Sequence, residues 1–264
     1  MSELNYDLLA PFYDSFQTTE DPEAWAAFLD AQSRFVAQEP SRSEGQGAGG
    51  RALAVDLGCG TGRIARAMQK RGWDIIGIDY SANMLSEAEQ AVLPSENEGG
   101  PSALFLLQDL TRFELFGSVN LIYATMDTFN HITAAELERT LALCANYLHP
   151  GGVLIFDLLS LDYMQEEMGS EFYYDISSEH AVLWQNAFDK ELRQNVASVT
   201  IFTEEGELYR REELEIVEYY HEPDAVLAAL ERLGFRTAIV KPESGLLDGI
   251  GAARRYFFVG VRRA

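Results

Sequence analysis

Apolar and polar positions along the chain follow two different rhythms. Between residues 51 and 160, short apolar runs typical of buried strands alternate with stretches of helical periodicity. The predicted strands are Leu53–Leu57, Trp73–Asp79, Ala103–Asp109, Val119–Ala124 and Val153–Asp157. The predicted helices are Arg63–Lys70, Asn83–Val92 and Ala134–Leu148. Repeated strand and helix units of this kind predict a parallel sheet with helices on both faces.

After Leu159 the pattern changes to an alternation of apolar and polar residues with no helical stretch. The alternating runs are Ala181–Phe188, Leu192–Thr203 and Leu208–Tyr219. Short polar turns separate them, which predicts an antiparallel β insert. A helix starting at Glu222 and ending at Leu233, with two later strands, then restores the α/β pattern.

The chain therefore divides into four predicted parts. The first is an N-terminal helical segment, in which Trp25, Phe28 and Leu29 have helical spacing. Glycine-rich composition predicts a flexible linker after it. The predicted boundaries are 1–38 for the helical lid, 39–50 for the linker, 51–160 with 222–264 for the α/β core, and 161–221 for the insert.

A glycine-rich turn joins the first core strand to the first core helix. Gly58, Gly60 and Gly62 let the backbone take positive φ and let a ligand approach the helix N-terminus. A dinucleotide fingerprint would need glycine at Arg63, so that pattern fails. Asp56, just before the turn, would repel a pyrophosphate but suits a ligand with an ammonium group.

The segment Asp56-Leu-Gly-Cys-Gly-Thr-Gly62 closely resembles the first motif of class I S-adenosylmethionine-dependent methyltransferases. The whole chain resembles the small bacterial YqeM-like group. That group has a segment similar to Tyr6–Asp14 and a β insert with sequences similar to Trp184-Gln-Asn-Ala-Phe-Asp and Leu208-Tyr-Arg-Arg. The resemblance implies a Rossmann-like, mostly parallel seven-stranded sheet and S-adenosylmethionine as cofactor. The two glycine-rich surface loops depart from the group's pattern.

Acidic residues at the ends of the second and third strands complete the expected cofactor site. Asp79 can accept hydrogen bonds from both ribose hydroxyls, or it starts a loop and caps a helix. The resemblance implies that Asp109 accepts from the adenine amino group and that Tyr13 contacts the cofactor; Tyr13 as a packing aromatic is the alternative. The expected cofactor residues are Tyr13, Asp56, Gly58, Cys59, Gly60, Asp79, Tyr80, Met84, Gln108, Asp109 and Leu110.

The loop after the fourth strand should face the methyl group, because ligands of open α/β sheets bind at the carboxyl ends of strands. Its candidate catalytic residues are Asp127, Asn130 and His131, with turn and cap roles as the alternative for the first two. The substrate candidates are Tyr6, Met126, Tyr174, Trp184 and His221. Sheet packing or a dimer interface is the alternative for the aromatic residues of the insert.

Net charge and composition limit the classes of substrate and partner that the chain is expected to bind. The 264-residue chain has a formal net charge of −22, which opposes binding to DNA or RNA and favours a small-molecule substrate. Two separated cysteines indicate reduced thiols and, with four histidines, no structural metal site. We expect a cytoplasmic bacterial protein with no membrane segment, monomeric or dimeric through the insert.

Two other functions stay open at the level of sequence. The chain could be an S-adenosylmethionine-binding protein whose insert mediates protein interaction or acts on an RNA or protein partner. A nicotinamide oxidoreductase is disfavoured by Asp56 and Arg63. Methyl transfer to a small molecule is the preferred interpretation.

Overall fold

The computed structural model describes residues 6–17, 19–36, 51–91, 100–177 and 180–263. The predicted linker at 39–50 lies outside these residues. The helices are α1 (Tyr13–Phe16), α2 (Pro22–Val36), α3 (Arg63–Lys70), α4 (Ala82–Gln90), α5 (Ala134–Tyr147) and α6 (Pro223–Arg232). The core strands are β1 (Leu53–Leu57), β2 (Asp74–Asp79), β3 (Ala103–Leu107), β4 (Val119–Ala124), β5 (Leu148–Leu159), β10 (Phe235–Val240) and β11 (Arg255–Arg262). The insert strands are β6 (Phe172–Ile176), β7 (His180–Asp189), β8 (Gln194–Glu205) and β9 (Leu208–Tyr219).

The core strands form one sheet in the order β10-β11-β5-β4-β1-β2-β3. Strands β1 to β5 are parallel to one another, and β11 is antiparallel to both β5 and β10. The predicted Rossmann-like, mostly parallel sheet with an antiparallel insert is confirmed. Successive strands are added on one side of β1 up to β3 and on its other side from β4 onward, so the strand order reverses between β1 and β4. Such a reversal in strand order opens a ligand crevice at the carboxyl ends of the strands.

Helices bury apolar side chains on both faces of this sheet. On one face, Trp25, Phe28 and Leu29 of α2 pack with Met68 of α3 and Phe257 of β11. Helices α5 and α6 cover the other face. Helix α2 is thus part of the core packing, so the predicted boundary at residue 38 groups a core helix with the segment before it. Within the described part of the chain, no helix combines the length and the apolar character needed to cross a membrane.

The insert forms a second, four-stranded sheet that packs on the N-terminal segment. Residues paired across β7, β8 and β9, such as Trp184, Val199 and Leu214, share one face. This face, called here the inner face, buries Leu9 and Ala10 and partly covers the rings that precede α2. Residues 6–17 therefore lie between the insert and the core. We refer to them as the covering segment.

The boundaries of β3 and β5 are among those that differ from the expected ones. Strand β3 ends at Leu107, so Gln108 and Asp109 belong to the following loop. Strand β5 begins at Leu148, where the predicted helix was expected to end, and not at Val153, because Leu148 pairs with Val119 before a register shift in β4. The glycine pair at the start of β5 fits this close approach, since a Cβ on Gly152 would lie 2.9 Å from the His149 carbonyl oxygen.

A buried arginine joins the sheet to the N-terminal residues. Arg255, whose side chain is 6% exposed, donates to Asp157 Oδ2 at 2.6 Å, to Asp127 Oδ1 at 3.0 Å and to Glu20 Oε1 at 3.1 Å. Glu20 also accepts from the Trp25 indole at 2.8 Å. One guanidinium therefore fixes β5, β11, the loop after β4 and the start of α2 relative to one another.

Replacing this arginine should destabilise the fold strongly. We expect Arg255→Met to lower the free energy of unfolding by about 3–5 kcal/mol, because it leaves buried carboxylates without their cation. Arg236→Met, at an exposed position on the neighbouring strand β10, is the control and should change it by less than about 0.5 kcal/mol. Urea unfolding measures both, and a loss equal to that of the control would contradict the account.

Candidate active site

The glycine turn after β1 has the backbone that its sequence predicts. Gly58, Gly60 and Gly62 all have positive φ, at 72°, 52° and 73°. A Cβ on Gly58 would lie 2.5 Å from the Thr128 side chain, so there is no room for a larger residue. The positive φ of Gly58 would also strain any residue that has a Cβ. The turn ends at α3, whose first amide groups are directed toward the carboxyl edge of the sheet.

Asp79 lies at the end of β2 and is joined to the glycine turn. Its Oδ2 accepts from the Gly60 amide at 2.8 Å, and its Oδ1 accepts from the Ser81 amide at 2.9 Å. Burial raises the pKa of its carboxyl group, and these amide bonds oppose that shift. Each oxygen keeps a lone pair, so the carboxylate can still accept bonds from ribose hydroxyls.

Asp56 lies deeper in the sheet than the sequence suggests. The residue is 2% exposed and pairs with Tyr123 across β1 and β4. Burial raises the pKa of the Asp56 carboxyl to about 8, against the lowering effect of the Tyr123 hydroxyl. A neighbouring ammonium group would favour the ionised form, so the expected role toward a cationic ligand is compatible with this environment.

The loop after β3 keeps its expected acid at the sheet edge. Asp109 Oδ1 accepts from the Thr111 amide at 2.8 Å and from its hydroxyl at 2.7 Å, and Asp109 Oδ2 lies 3.1 Å from Arg112 Nε. The Gln108 side chain instead bonds the Glu114 backbone. Leu110 packs against the core cluster beside α5.

The covering segment is tied to the glycine turn and to α4. Asp14 accepts from the Thr61 hydroxyl at 2.7 Å, and Asp7 accepts from the Ser81 hydroxyl at 2.5 Å. The Tyr13 ring comes within 3.9 Å of the position that a Gly60 Cβ would occupy. The structure thus places Tyr13 over the glycine turn, and its contact with the cofactor stays a prediction.

The other expected cofactor residues surround the same turn. Tyr80 is 55% exposed at the end of β2, which leaves its ring accessible. Met84 is 2% exposed and packs with Leu9 of the covering segment, and Cys59 is 9% exposed beneath the turn. Met84 and Cys59 therefore support the site by packing in this structure.

The loop after β4 adopts an uncommon backbone conformation. Met126 and Asp127 both have positive φ, at 58° and 57°, which costs free energy in residues other than glycine. The Asp127 amide donates to Asp157 Oδ2 at 3.0 Å, and Arg255 holds the Asp127 carboxylate. These bonds fix Asp127 at the carboxyl edge of the sheet, and its position beside the transferred methyl group stays a prediction.

Asn130 and His221 hold this loop in place. The Asn130 amide is 0% exposed and bridges the Tyr219 carbonyl at 2.9 Å and the Leu159 amide at 3.1 Å. His221 Nε2 donates to the Phe129 carbonyl at 3.0 Å. Both side chains bond the backbone of neighbouring elements, which gives them a positioning role in this structure; the catalytic role of Asn130 and the substrate role of His221 stay predictions.

A cluster of polar side chains forms where this loop meets the covering segment and the inner face. Tyr6 Oη lies 3.2 Å from His131 Nε2, and the Tyr6 and Tyr13 rings are 6.3 Å apart. The side-chain atoms of Asp127, His131 and Glu218 that could coordinate a metal ion all lie within 4.8 Å of one another. These three could offer a metal one ligand each, although each is already engaged by Arg255, Tyr6 or Asn195.

Tyr174 does not join this cluster, and its role as a substrate residue stays a prediction. It pairs with Leu183 and so lies on the outer face of the insert, opposite to the Tyr173–Trp184 row. Its side chain is 67% exposed on the edge strand β6. Trp184, on the inner face, packs against the covering segment and donates to Asn186 Oδ1 at 3.1 Å.

Sequence reasoning missed three residues of the cluster. Glu218 on β9, Asp157 on β5 and Arg255 on β11 are each far from the glycine motif along the chain. The sequence did carry one signal for two of them. Glu218 is a charged residue at a position that the alternating pattern predicts to be buried, and Asp157 is a charged residue at the end of an apolar run.

Comparisons with known proteins agree with this geometry. Residues 54–152 match the family described as "Methyltransferase domain". The protein named "Putative methyltransferase YqeM" of Bacillus subtilis (strain 168) is 27% identical over 208 residues, 78% of this chain and 76% of that protein. The chain has the class I methyltransferase fold and is an S-adenosylmethionine-dependent methyltransferase. Its cofactor is S-adenosylmethionine.

Solved structures share the fold of this methyltransferase over nearly its full length. An S-adenosylmethionine-dependent methyltransferase from Clostridium acetobutylicum ATCC 824 has a TM-score of 0.72 at 20% identity, covering 98% of this chain and 99% of that chain. The sugar N-methyltransferase KedS8 from Streptoalloteichus has a TM-score of 0.71 at 21% identity, covering 100% and 94%. The insert and the covering segment lie within the matched length.

The buried state of Asp56 predicts a specific pH dependence of stability. Its carboxyl group keeps a proton up to about pH 8 in the folded methyltransferase, whereas the unfolded chain loses that proton near pH 4. The folded state binds more protons between these values, so Asp56 lowers stability as pH rises through them. Urea unfolding at pH 5 and pH 8 should therefore show Asp56→Asn gaining stability relative to the wild type as pH rises. A stability difference that is the same at both pH values would contradict the shift.

Proposed function

We propose that this methyltransferase transfers the methyl group of S-adenosylmethionine to a small-molecule acceptor. The observation that carries the proposal is the covered carboxyl edge of the sheet. The Tyr6 hydroxyl meets His131 at 3.2 Å, with Tyr13 over the glycine turn. An acceptor therefore has to fit beneath the covering segment and the inner face, which favours a molecule much smaller than a nucleic acid.

The covering residues also suit the chemistry of methyl transfer. The sulfonium is already activated, so the protein has mainly to align the acceptor and exclude water. The covering segment makes hydrogen bonds to the glycine turn through Asp14 and to the start of α4 through Asp7. These bonds hold the segment over the expected position of the methyl group. The −22 charge further opposes a polyanionic substrate.

The names of solved structures with this fold point in the same direction. KedS8 is described as a sugar N-methyltransferase, and CalS10 from Micromonospora as an amino pentose methyltransferase. CalS10 has a TM-score of 0.65 at 19% identity, covering 95% of each chain. These likenesses are of fold, and they support a sugar-sized acceptor as the first class to test.

A second candidate function rests on the edge of the insert. Four residues of β6, Phe172, Tyr173, Tyr174 and Ile176, are between 45% and 67% exposed. Exposed apolar side chains on an edge strand suit a protein interface, with a second copy or with a partner that is methylated. In that case the methyl acceptor would be a macromolecule.

Methyl labelling distinguishes the two candidates. The protein is incubated with S-adenosylmethionine carrying a labelled methyl group and with a bacterial lysate separated into low-mass, RNA and protein fractions. We expect label in the low-mass fraction. Asp79→Ala should weaken S-adenosylhomocysteine binding by about 1.5–3 kcal/mol, the value of hydrogen bonds to a charged acceptor, and lower labelling accordingly.

Glu89→Ala, at an exposed position on α4, serves as the matched control and should label like the wild type. Label appearing only in RNA or protein would refute the small-molecule acceptor. Unchanged binding of S-adenosylhomocysteine by Asp79→Ala would remove Asp79 from the cofactor site.

A further inference from the structure

The cluster beneath the covering segment contains two carboxyl groups in contact. Asp127 and Glu218 come from the loop after β4 and from β9, and Glu218 is 4% exposed. Burial is the main reason that the pKa of Glu218 rises to about 8, followed by the Asp127 charge; a hydrogen bond between the two carboxyl groups contributes. Burial and the charge of Asp127 therefore favour the protonated form of Glu218 near neutral pH.

Charges around this pair are unevenly balanced. Arg255 is shared among Asp127, Asp157 and Glu20, and burial lowers the pKa of His131, which keeps its ring neutral. Tyr6 and Tyr13 also stay neutral, because burial raises the pKa of each phenol. The groups that face the pair are Tyr6, Tyr13, His131, Asp157, Asn195 and Arg255. Carboxyl groups thus outnumber cations in this part of the structure.

A second observation indicates that the cluster lacks hydrogen-bond donors. Asn195 is 0% exposed and donates through Nδ2 to Glu218 Oε2 at 3.0 Å, while its Oδ1 has no hydrogen-bond partner among the described residues. The Oδ1 atom of Asp157, whose side chain is 0% exposed, likewise has none there. Buried acceptors are normally paired, so these oxygens indicate a ligand that brings N–H groups.

We propose that the methyl acceptor is a primary or secondary amine whose nitrogen binds at the Asp127–Glu218 pair, and that this pair takes the proton which the nitrogen releases. The inference rests on the proposed transfer to a small molecule and specifies the acceptor class. It assigns Glu218, which sequence reasoning missed, to the substrate site.

The proposed step balances without any further reactant. The lone pair of the amine nitrogen forms a bond to the methyl carbon, and the carbon–sulfur bond breaks with its electrons remaining on sulfur. Sulfur becomes a neutral thioether and the nitrogen becomes a cation. One N–H proton then passes to the ionised carboxylate of the pair, which leaves a neutral methylated amine.

The surplus of carboxyl groups favours nitrogen over oxygen as acceptor. In transfer to an amine, the positive charge moves from sulfur to nitrogen, where the negative field of Asp127 and Glu218 stabilises it. A hydroxyl acceptor would instead approach an oxyanion, which the same field destabilises by raising its pKa. The negative field of the carboxyl groups therefore favours an amine over a hydroxyl as the methyl acceptor.

Binding of a matched pair of probes tests the inference. Calorimetry at pH 8 compares cyclohexylamine and cyclohexanol on the full-length protein saturated with S-adenosylhomocysteine. We expect the amine to bind at least about tenfold more tightly than the alcohol, a difference of about 1.4 kcal/mol. Glu218→Gln should lose that preference, and Asp127→Asn provides a second variant with the same expected loss.

Glu215→Gln is the matched control, since Glu215 is exposed on the same strand and pairs with Ser198 on the outer face. Unchanged affinity for S-adenosylhomocysteine verifies that each variant is folded. Equal binding of the two probes, binding of neither, or an amine preference that survives in both variants would overturn the inference while leaving the proposed function standing. Failure of the wild type to bind S-adenosylhomocysteine would instead refute the proposed function, and the inference with it.

Discussion

The buried guanidinium of Arg255 is the interaction on which the arrangement of the site depends. It contacts Asp157 on β5, Asp127 after β4 and Glu20 before α2, at 2.6 to 3.1 Å. Removing these carboxylates from water costs free energy, which only close pairing with a cation offsets. The same contacts stabilise the positive φ of Met126 and Asp127, so the loop after β4 keeps its shape through a charge that comes from β11.

Two elements outside the parallel sheet turn an open edge into an enclosed site. The covering segment bonds to the glycine turn and α4, and its apolar side packs on the inner face of the insert. Insert residue Glu218 then meets Asp127, and Tyr6 meets His131. Most of the expected cofactor residues therefore come from the core, whereas the proposed acceptor site also takes residues from the covering segment and the insert.

Local patterns in the sequence predicted the core well. Strand β1, helix α3 and the glycine turn lie where periodicity and glycine spacing place them, because their conformations depend on neighbours in sequence. Glu218, Asp157 and Arg255 could not be assigned this way, since their partners lie on elements distant in the chain. Tyr174 and Asn130 carried suitable side chains, but strand register put the first on the outer face and backbone bonds engaged the second.

The central claim is that the cofactor's methyl group faces the enclosed cluster and not solvent. A crystal structure with S-adenosylhomocysteine tests it most directly. The account predicts the ribose hydroxyls at Asp79, Tyr13 against the ligand, and the sulfur directed toward His131 and the Asp127–Glu218 pair with residues 6–17 in place. A ligand whose sulfur opens to solvent, with residues 6–17 displaced from the glycine turn, would contradict it.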